Sequence, residues 1–187
     1  MDKKLKIVGI SGSLRKGSYN SALLRAAQAL VPAEAELEIL DISAVPVYNQ
    51  DDEANMPQVV KDLKTKIEAA DAVLFSTPEY NYSIPGGLKN MMEWMSRPYG
   101  QNSFDDKPAA IISSSIGVMG GSRAQYHLRQ VFIELNMHSV NHPGVIVGFA
   151  QNKVDAQGNL TDEETKTRIK DQLQALVIWT KRIQVAK

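Results

Sequence analysis

The 187-residue chain has no cysteine. That excludes disulfides, thiolate metal sites, cysteine nucleophiles and redox thiols together. If the protein carries electrons, they must reside on a bound cofactor. An excess of charge of either sign is also missing, because 21 Lys plus Arg balance 21 Asp plus Glu. The chain therefore has neither the basic surplus nor the basic run expected of a nucleic-acid binder or of a protein drawn to anionic membranes. Long apolar runs are absent, and nothing approaches the roughly 20 residues of a membrane span. The short apolar stretch after Met1-Asp2-Lys3-Lys4 is too brief for a signal-peptide core, which leads us to expect a cytoplasmic protein.

What is present is alternation. Leu5–Ile10 reads as a buried strand, and Leu23, Leu24, Ala27 and Leu30 follow at helical spacing. A second strand is expected over residues 37–42. Pro57 opens a helix that ends near Ala70, and Ala72–Ser76 is the clearest central strand. Leu88, Met91, Met92 and Met95 form the next helical stripe, followed by a strand over 109–113. The stripe Leu128, Val131, Phe132 and Leu135 precedes a last strand over 145–149. Thr161, with Glu164 three residues on, reads as a capping box for a helix reaching about Ile183. Strands alternating with helices predict an α/β domain over residues 1–187, a doubly wound parallel sheet of five strands in the order 2-1-3-4-5 with helices on both faces. In that architecture ligands lie beyond the carboxyl ends of the strands, so the special residues should follow strands one, three and four. They do.

After strand one runs Ser11-Gly12-Ser13-Leu14-Arg15-Lys16-Gly17-Ser18-Tyr19-Asn20-Ser21. Its hydroxyls, an asparagine and two cations at a helix N-terminus suit a single terminal phosphate. The glycine spacing excludes the dinucleotide fingerprint, and no G-K-[ST] closes a triphosphate loop. A bland alternative remains at this point, with Ser18 a simple helix cap and Arg15 solvated. After strand three comes Pro78-Glu79-Tyr80-Asn81-Tyr82-Ser83-Ile84-Pro85-Gly86-Gly87-Leu88-Lys89-Asn90. It sets hydrogen-bonding groups and flat apolar surface on a constrained turn, as a planar heteroaromatic ring requires. After strand four, Ser113–Ser122 is a third loop of small residues able to approach a ring edge.

Together the segments P-E-Y-N-x-S-x-P-G-x-L-K-N and G-S-L-R-K-G-S-x-N resemble the flavin-contact and phosphate motifs of the NADPH-dependent FMN reductase family, in its chromate and quinone reductase branch. The likeness runs nearly the length of the chain. It implies a flavodoxin-like fold and FMN bound by Ser11, Ser13, Arg15, Ser18, Tyr19, Asn20, Ser21, Pro78, Glu79, Tyr80, Asn81, Tyr82, Ser115 and Gly117. It further implies NADPH or NADH as donor, with hydride passing from nicotinamide C4 to flavin N5 and then, in a ping-pong scheme, to quinones, chromate, azo compounds or free flavin. No side chain is itself catalytic on this reading. The segment Arg123–Arg129 is similar to a helix that helps to build a tetramer in that branch, which implies a homodimer or homotetramer here. The rival reading is a flavodoxin-type electron carrier without NAD(P)H turnover, against which the missing acidity counts.

Other residues are set aside. His138 and His142 flank a strand near Pro143 and have no partnering carboxylate pattern, so no metal site is expected. His127 reads as a surface or interface residue. Asp51-Asp52-Glu53 lacks the glycine and terminal glutamate of a calcium loop. Trp94 falls off the methionine stripe, which suggests a subunit interface or a place beside the flavin.

Overall fold

The computed structural model describes residues 4–185. Six strands are present: β1 (Leu5–Ser11), β2 (Ala35–Leu40), β3 (Ala72–Thr77), β4 (Pro108–Ser114), β5 (His138–Ser139) and β6 (Val145–Val147). Five α-helices alternate with them: α1 (Tyr19–Leu30), α2 (Gln58–Glu68), α3 (Gly86–Met95), α4 (Ser122–Glu134) and α5 (Glu163–Val185). All pairings are parallel, in the order β2-β1-β3-β4-β5, with β6 also on β4. This is the doubly wound order expected from the alternation.

The sheet is covered on both faces, as parallel strands require. Successive residues of each central strand point to opposite layers. Val8, Val73, Phe75 and Ile111 join Val60, Ile67, Leu88, Met91, Trp94 and Phe132 in one buried layer. Ile7, Leu74, Ala110 and Ile112 join Leu23, Leu24, Leu173, Leu176 and Val177 in the other. Phe75 anchors the first layer, its ring centroid 5.2 Å from that of Phe132 and 6.0 Å from that of Phe104.

Several details differ from the sequence reading. The fifth position is shared by two short strands, because the chain between them passes Asn141-His142-Pro143-Gly144, where proline has no N–H to donate. β6 stops at Val147 rather than Phe149, since Phe149 takes a left-handed φ of 52°. The second strand sits two residues earlier than expected. Pro57 stands just before α2 as its N-cap residue rather than opening it, and Pro85 holds the same position before α3. The cap of α5 is Asp162, one residue beyond the expected Thr161. Asp162 Oδ2 accepts from Thr165 N at 2.9 Å, whereas Thr161 Oγ1 donates to the Lys153 carbonyl at 3.1 Å.

Trp94 is fully buried, its Nε1 donating to Pro46 O at 2.9 Å and its ring edge-on to Tyr48 at 5.2 Å. It is therefore a core residue and not an interface or ring-side one. The acidic run 51–53 forms an exposed 3-10 turn. His138 lies within β5 instead of flanking a strand, and its Nε2 contacts Asp106.

Candidate functional site

The register aligns the ends of three strands. Ser11 pairs with Ser76, and Thr77 with Ser113, so the loops after β1, β3 and β4 leave the sheet at one edge. The loop after β1 is drawn close to β3 by Gly12, whose N–H donates to Ser76 O at 2.8 Å. A Cβ at Gly12 would lie 3.0 Å from Thr77 Oγ1 and 3.1 Å from Leu88, so the close approach depends on glycine.

Beyond Gly12 the loop folds over the start of α1. Ser18 caps the helix, its Oγ accepting from Ser21 N at 3.2 Å. Ser11 and Ser21 share a hydrogen bond of 3.0 Å between hydroxyls. Ser13 Oγ lies 3.4 Å from the hydroxyl of Tyr80 and so connects the first loop to the second. Among the described residues, the backbone N–H groups of Arg15, Lys16, Tyr19 and Asn20 donate to no protein acceptor. Unpaired N–H groups at the positive end of a twelve-residue helix make an anion cradle. Arg15 is exposed, with its guanidinium 5.3 Å from the Tyr19 ring centroid, and supplies a cation beside that cradle. The capping role of Ser18 and an anion-facing hydroxyl are compatible, because its oxygen accepts while its hydrogen is left to donate.

The turn after β3 is a two-residue hairpin. Tyr80 and Ser83 exchange backbone hydrogen bonds of 3.0 Å, and both central residues have positive φ, 49° at Asn81 and 68° at Tyr82. This is the sign pattern of a type I′ turn. Asparagine tolerates it, whereas tyrosine there is strained. The turn projects Tyr80 and Tyr82 outward, 48% and 67% exposed. Pro78 is buried beneath it, and Ser83 Oγ meets His127 Nδ1 at 2.9 Å.

Two expected contact residues are engaged elsewhere. The side chain of Glu79 is 8% exposed and accepts from Arg123 N at 3.1 Å and Arg123 Nε at 2.6 Å, with Nη2 in contact as well. It thus closes the N-terminus of α4, which has no cap from its own Gly121, and its carboxylate is not offered to a ligand. Arg123 also stacks on Tyr82, 3.7 Å from the ring centroid, and the Glu79 hydrogen bond holds its pKa above the ordinary value. Asn20 is 3% exposed, and both carboxamide atoms bond the backbone of Ser114 rather than pointing into the loop.

The loop after β4 is folded against the segment following β6. Ser115 N donates to Val147 O at 3.1 Å, Ala150 N to Ser115 O at 3.0 Å, and Gly117 N to Ser115 Oγ at 3.0 Å. Two glycines make this contact feasible. At Gly120 (φ 57°) a Cβ would lie 2.9 Å from Gly148 N, and at Gly148 one would lie 2.7 Å from Val118 O. Sequence reasoning did not place Gly148 or Phe149 at this edge; the signal available was a glycine ending an apolar strand. Leu14, Ile116, Val118, Met119 and Phe149 are all exposed on the three loops or the segment beside them. The result is polar backbone at an edge with apolar side chains about it, the chemistry a flat heteroaromatic ring with an anionic tail requires.

Among the described residues no group of three His, Asp or Glu is arranged to hold a metal. No described helix is long and apolar enough to cross a membrane.

Comparison with known proteins identifies the family. The model of the family described as NADPH-dependent FMN reductase matches residues 5–152. An NAD(P)H-dependent FMN reductase of Pseudomonas aeruginosa is 50% identical over 185 residues, covering 98% of this chain and all of the relative. The quinone reductase of Escherichia coli is 42% identical, covering 99% of this chain and 100% of its own. A solved flavoenzyme, an NAD(P)H:(acceptor) oxidoreductase from Paracoccus denitrificans, superimposes with a TM-score of 0.87 at 38% identity, over 95% of this chain and 98% of that one. A Pseudomonas aeruginosa flavodoxin superimposes at 0.62 with 17% identity, a likeness of fold alone. The chain belongs to the NADPH-dependent FMN reductase family.

Proposed function

We propose that the protein binds FMN across the three loops and uses NADH or NADPH to reduce quinones, with chromate, azo compounds and free flavin as further acceptors in a ping-pong cycle. The observation that carries this reading is the cradle of unpaired N–H groups at the start of α1, set beside two exposed tyrosines and a ring of apolar side chains. The family membership supports it.

In this reading Ser13, Ser18 and Arg15 hold the phosphate together with the N–H groups of Tyr19 and Asn20. Pro78, Tyr80, Asn81 and Tyr82 face the ring from one loop, and Ser115 and Gly117 from the other. FMN, when bound, supplies the acceptance and release of two electrons. The chain's task is to fix its orientation, to keep water from one face and to leave the other open. The exposed loops leave room for a nicotinamide or a flat acceptor to stack there in turn. The backbone N–H of Ile116, between Ser115 and Gly117 and with no protein acceptor among the described residues, would stabilise negative charge on the ring edge of a bound flavin.

Coverage of nearly the full length of the relatives supports one functional unit over residues 1–187. The exposed Tyr126 and Ile133 on α4 support self-association into a dimer or tetramer. A cytoplasmic location completes the proposal. The test is steady-state reduction of a quinone, chromate and free FMN by NADH and by NADPH. Turnover with at least one donor and one acceptor is expected. FMN binding without turnover of any pair would instead indicate an electron carrier.

A further inference from the structure

We propose that the side chain of Asn20 is a positioning group for the ring end of the cofactor and not a ligand of its phosphate. The inference rests on the FMN reading above and sharpens it.

Pairing of β3 with β4 ends at Thr77 and Ser113. Ser114 lies beside Val147 of β6 on one side, but on the β3 side its backbone N–H and C=O would have no strand partner, a costly arrangement in a residue only 1% exposed. The side chain of Asn20 fills that gap. Its Nδ2 donates to Ser114 O at 3.0 Å, and its Oδ1 accepts from Ser114 N at 2.9 Å. The carboxamide therefore acts as a substitute peptide that extends the sheet by one residue past that pairing. Ser76 Oγ donates to the Asn20 carbonyl at 2.8 Å, so the first turn of α1 is tied to β3 as well. All three residues are buried.

The consequence is mechanical. Ser114 is the last residue of β4, and Ser115 and Gly117 follow directly. Asn20 sits in the first turn of α1, next to the N–H groups that hold the phosphate. It thus sets the spacing between the two ends of the cofactor site without touching the phosphate through its side chain. Alanine at this position removes both bonds and frees the start of the β4–α4 loop.

FMN and riboflavin separate the two roles, because riboflavin has the ring and no phosphate. Both are titrated into apoprotein, wild type and Asn20→Ala, by quenching of flavin fluorescence, and the visible spectrum of bound FMN is recorded. The expected result is that both flavins weaken by a similar factor, about 10-fold, and that the band of bound FMN shifts towards that of free flavin. Weakening of FMN alone with an unchanged band, or no change for either flavin, overturns the proposal. Should Asn20→Ala not fold, Asn20→Asp decides. A charged carboxylate cannot donate to Ser114 O, whereas the protonated acid can both donate and accept. Riboflavin affinity relative to wild type is then expected to fall at neutral pH and to recover in acid, and affinity equal to wild type at neutral pH overturns the proposal. If the wild-type protein binds neither flavin, it is the FMN reading that fails.

Discussion

Replacing Glu79 removes the link between the turn after β3 and the N-terminus of α4. Its carboxylate is the acceptor for Arg123 N, in a helix whose own N-cap, Gly121, offers no side chain. Loss of such a cap costs about 1 kcal/mol. The guanidinium contacts add less, because the Arg123 side chain is 37% exposed and solvent screens the pair. The loss for Glu79→Ala is therefore at least about 1 kcal/mol, which lowers the melting temperature of a chain this size by at least about 2–4 °C. Glu79→Gln keeps an acceptor for the backbone N–H and should recover about half of that loss. Thermal unfolding of the apoprotein, followed by circular dichroism, gives both numbers. A shift under about 1 °C for Glu79→Ala would refute the capping account. An equal loss in the Gln and Ala variants would show that charge, and not the cap, carries the effect.

Other outcomes follow from the same geometry. Arg15→Ala should weaken FMN binding by about 10- to 100-fold, the loss of one charge-assisted contact, while leaving the melting temperature of the apoprotein unchanged; equal affinity by fluorescence titration contradicts it. Gly120→Ala forces a side chain into a left-handed backbone site 2.9 Å from the backbone of Gly148, and should cost at least about 2 kcal/mol in urea unfolding. Trp94→Phe removes one of the two donors to Pro46 O and leaves the 2.8 Å bond from Asn90 Nδ2 in place, so it should destabilise by about 1 kcal/mol and leave FMN affinity as in wild type. The carboxyl of Asp162 is held below its ordinary value of 3.8, chiefly by the Thr165 hydrogen bond. A depressed folded-state pKa gives stability that is present above the ordinary value and lost as pH falls through the lower one. Asp162→Asn should accordingly differ from wild type in melting temperature at neutral pH and converge on it in strong acid.

The sheet and its order were legible because each central strand is a short apolar run between helical stripes, and parallel pairing followed from the alternation. The fifth strand was less so. Its division depends on where the chain bends between Asn141 and Gly144, which periodicity does not encode. The capping box at Thr161 was misplaced by one residue because Asp162 competes for the same role and has the better reach to Thr165 N.

At the site, the residue types identified the loops but not which atoms stay free. Glu79 and Asn20 read as ligand contacts from their loops, yet each serves a partner far along the chain, Arg123 and Ser114. Such pairings over 44 and 94 residues are set by the fold and have no local signature. The positive φ of Tyr82 was equally hidden, since tyrosine does not predict a type I′ turn.

The central claim is that one chain both holds a flavin at this edge and reduces it with a nicotinamide donor. Anaerobic mixing of the FMN-loaded protein with NADPH, and separately with NADH, tests it most directly. The account predicts that the visible absorbance of the bound flavin bleaches with at least one donor and returns when a quinone is added. Bound flavin that neither donor bleaches would contradict it.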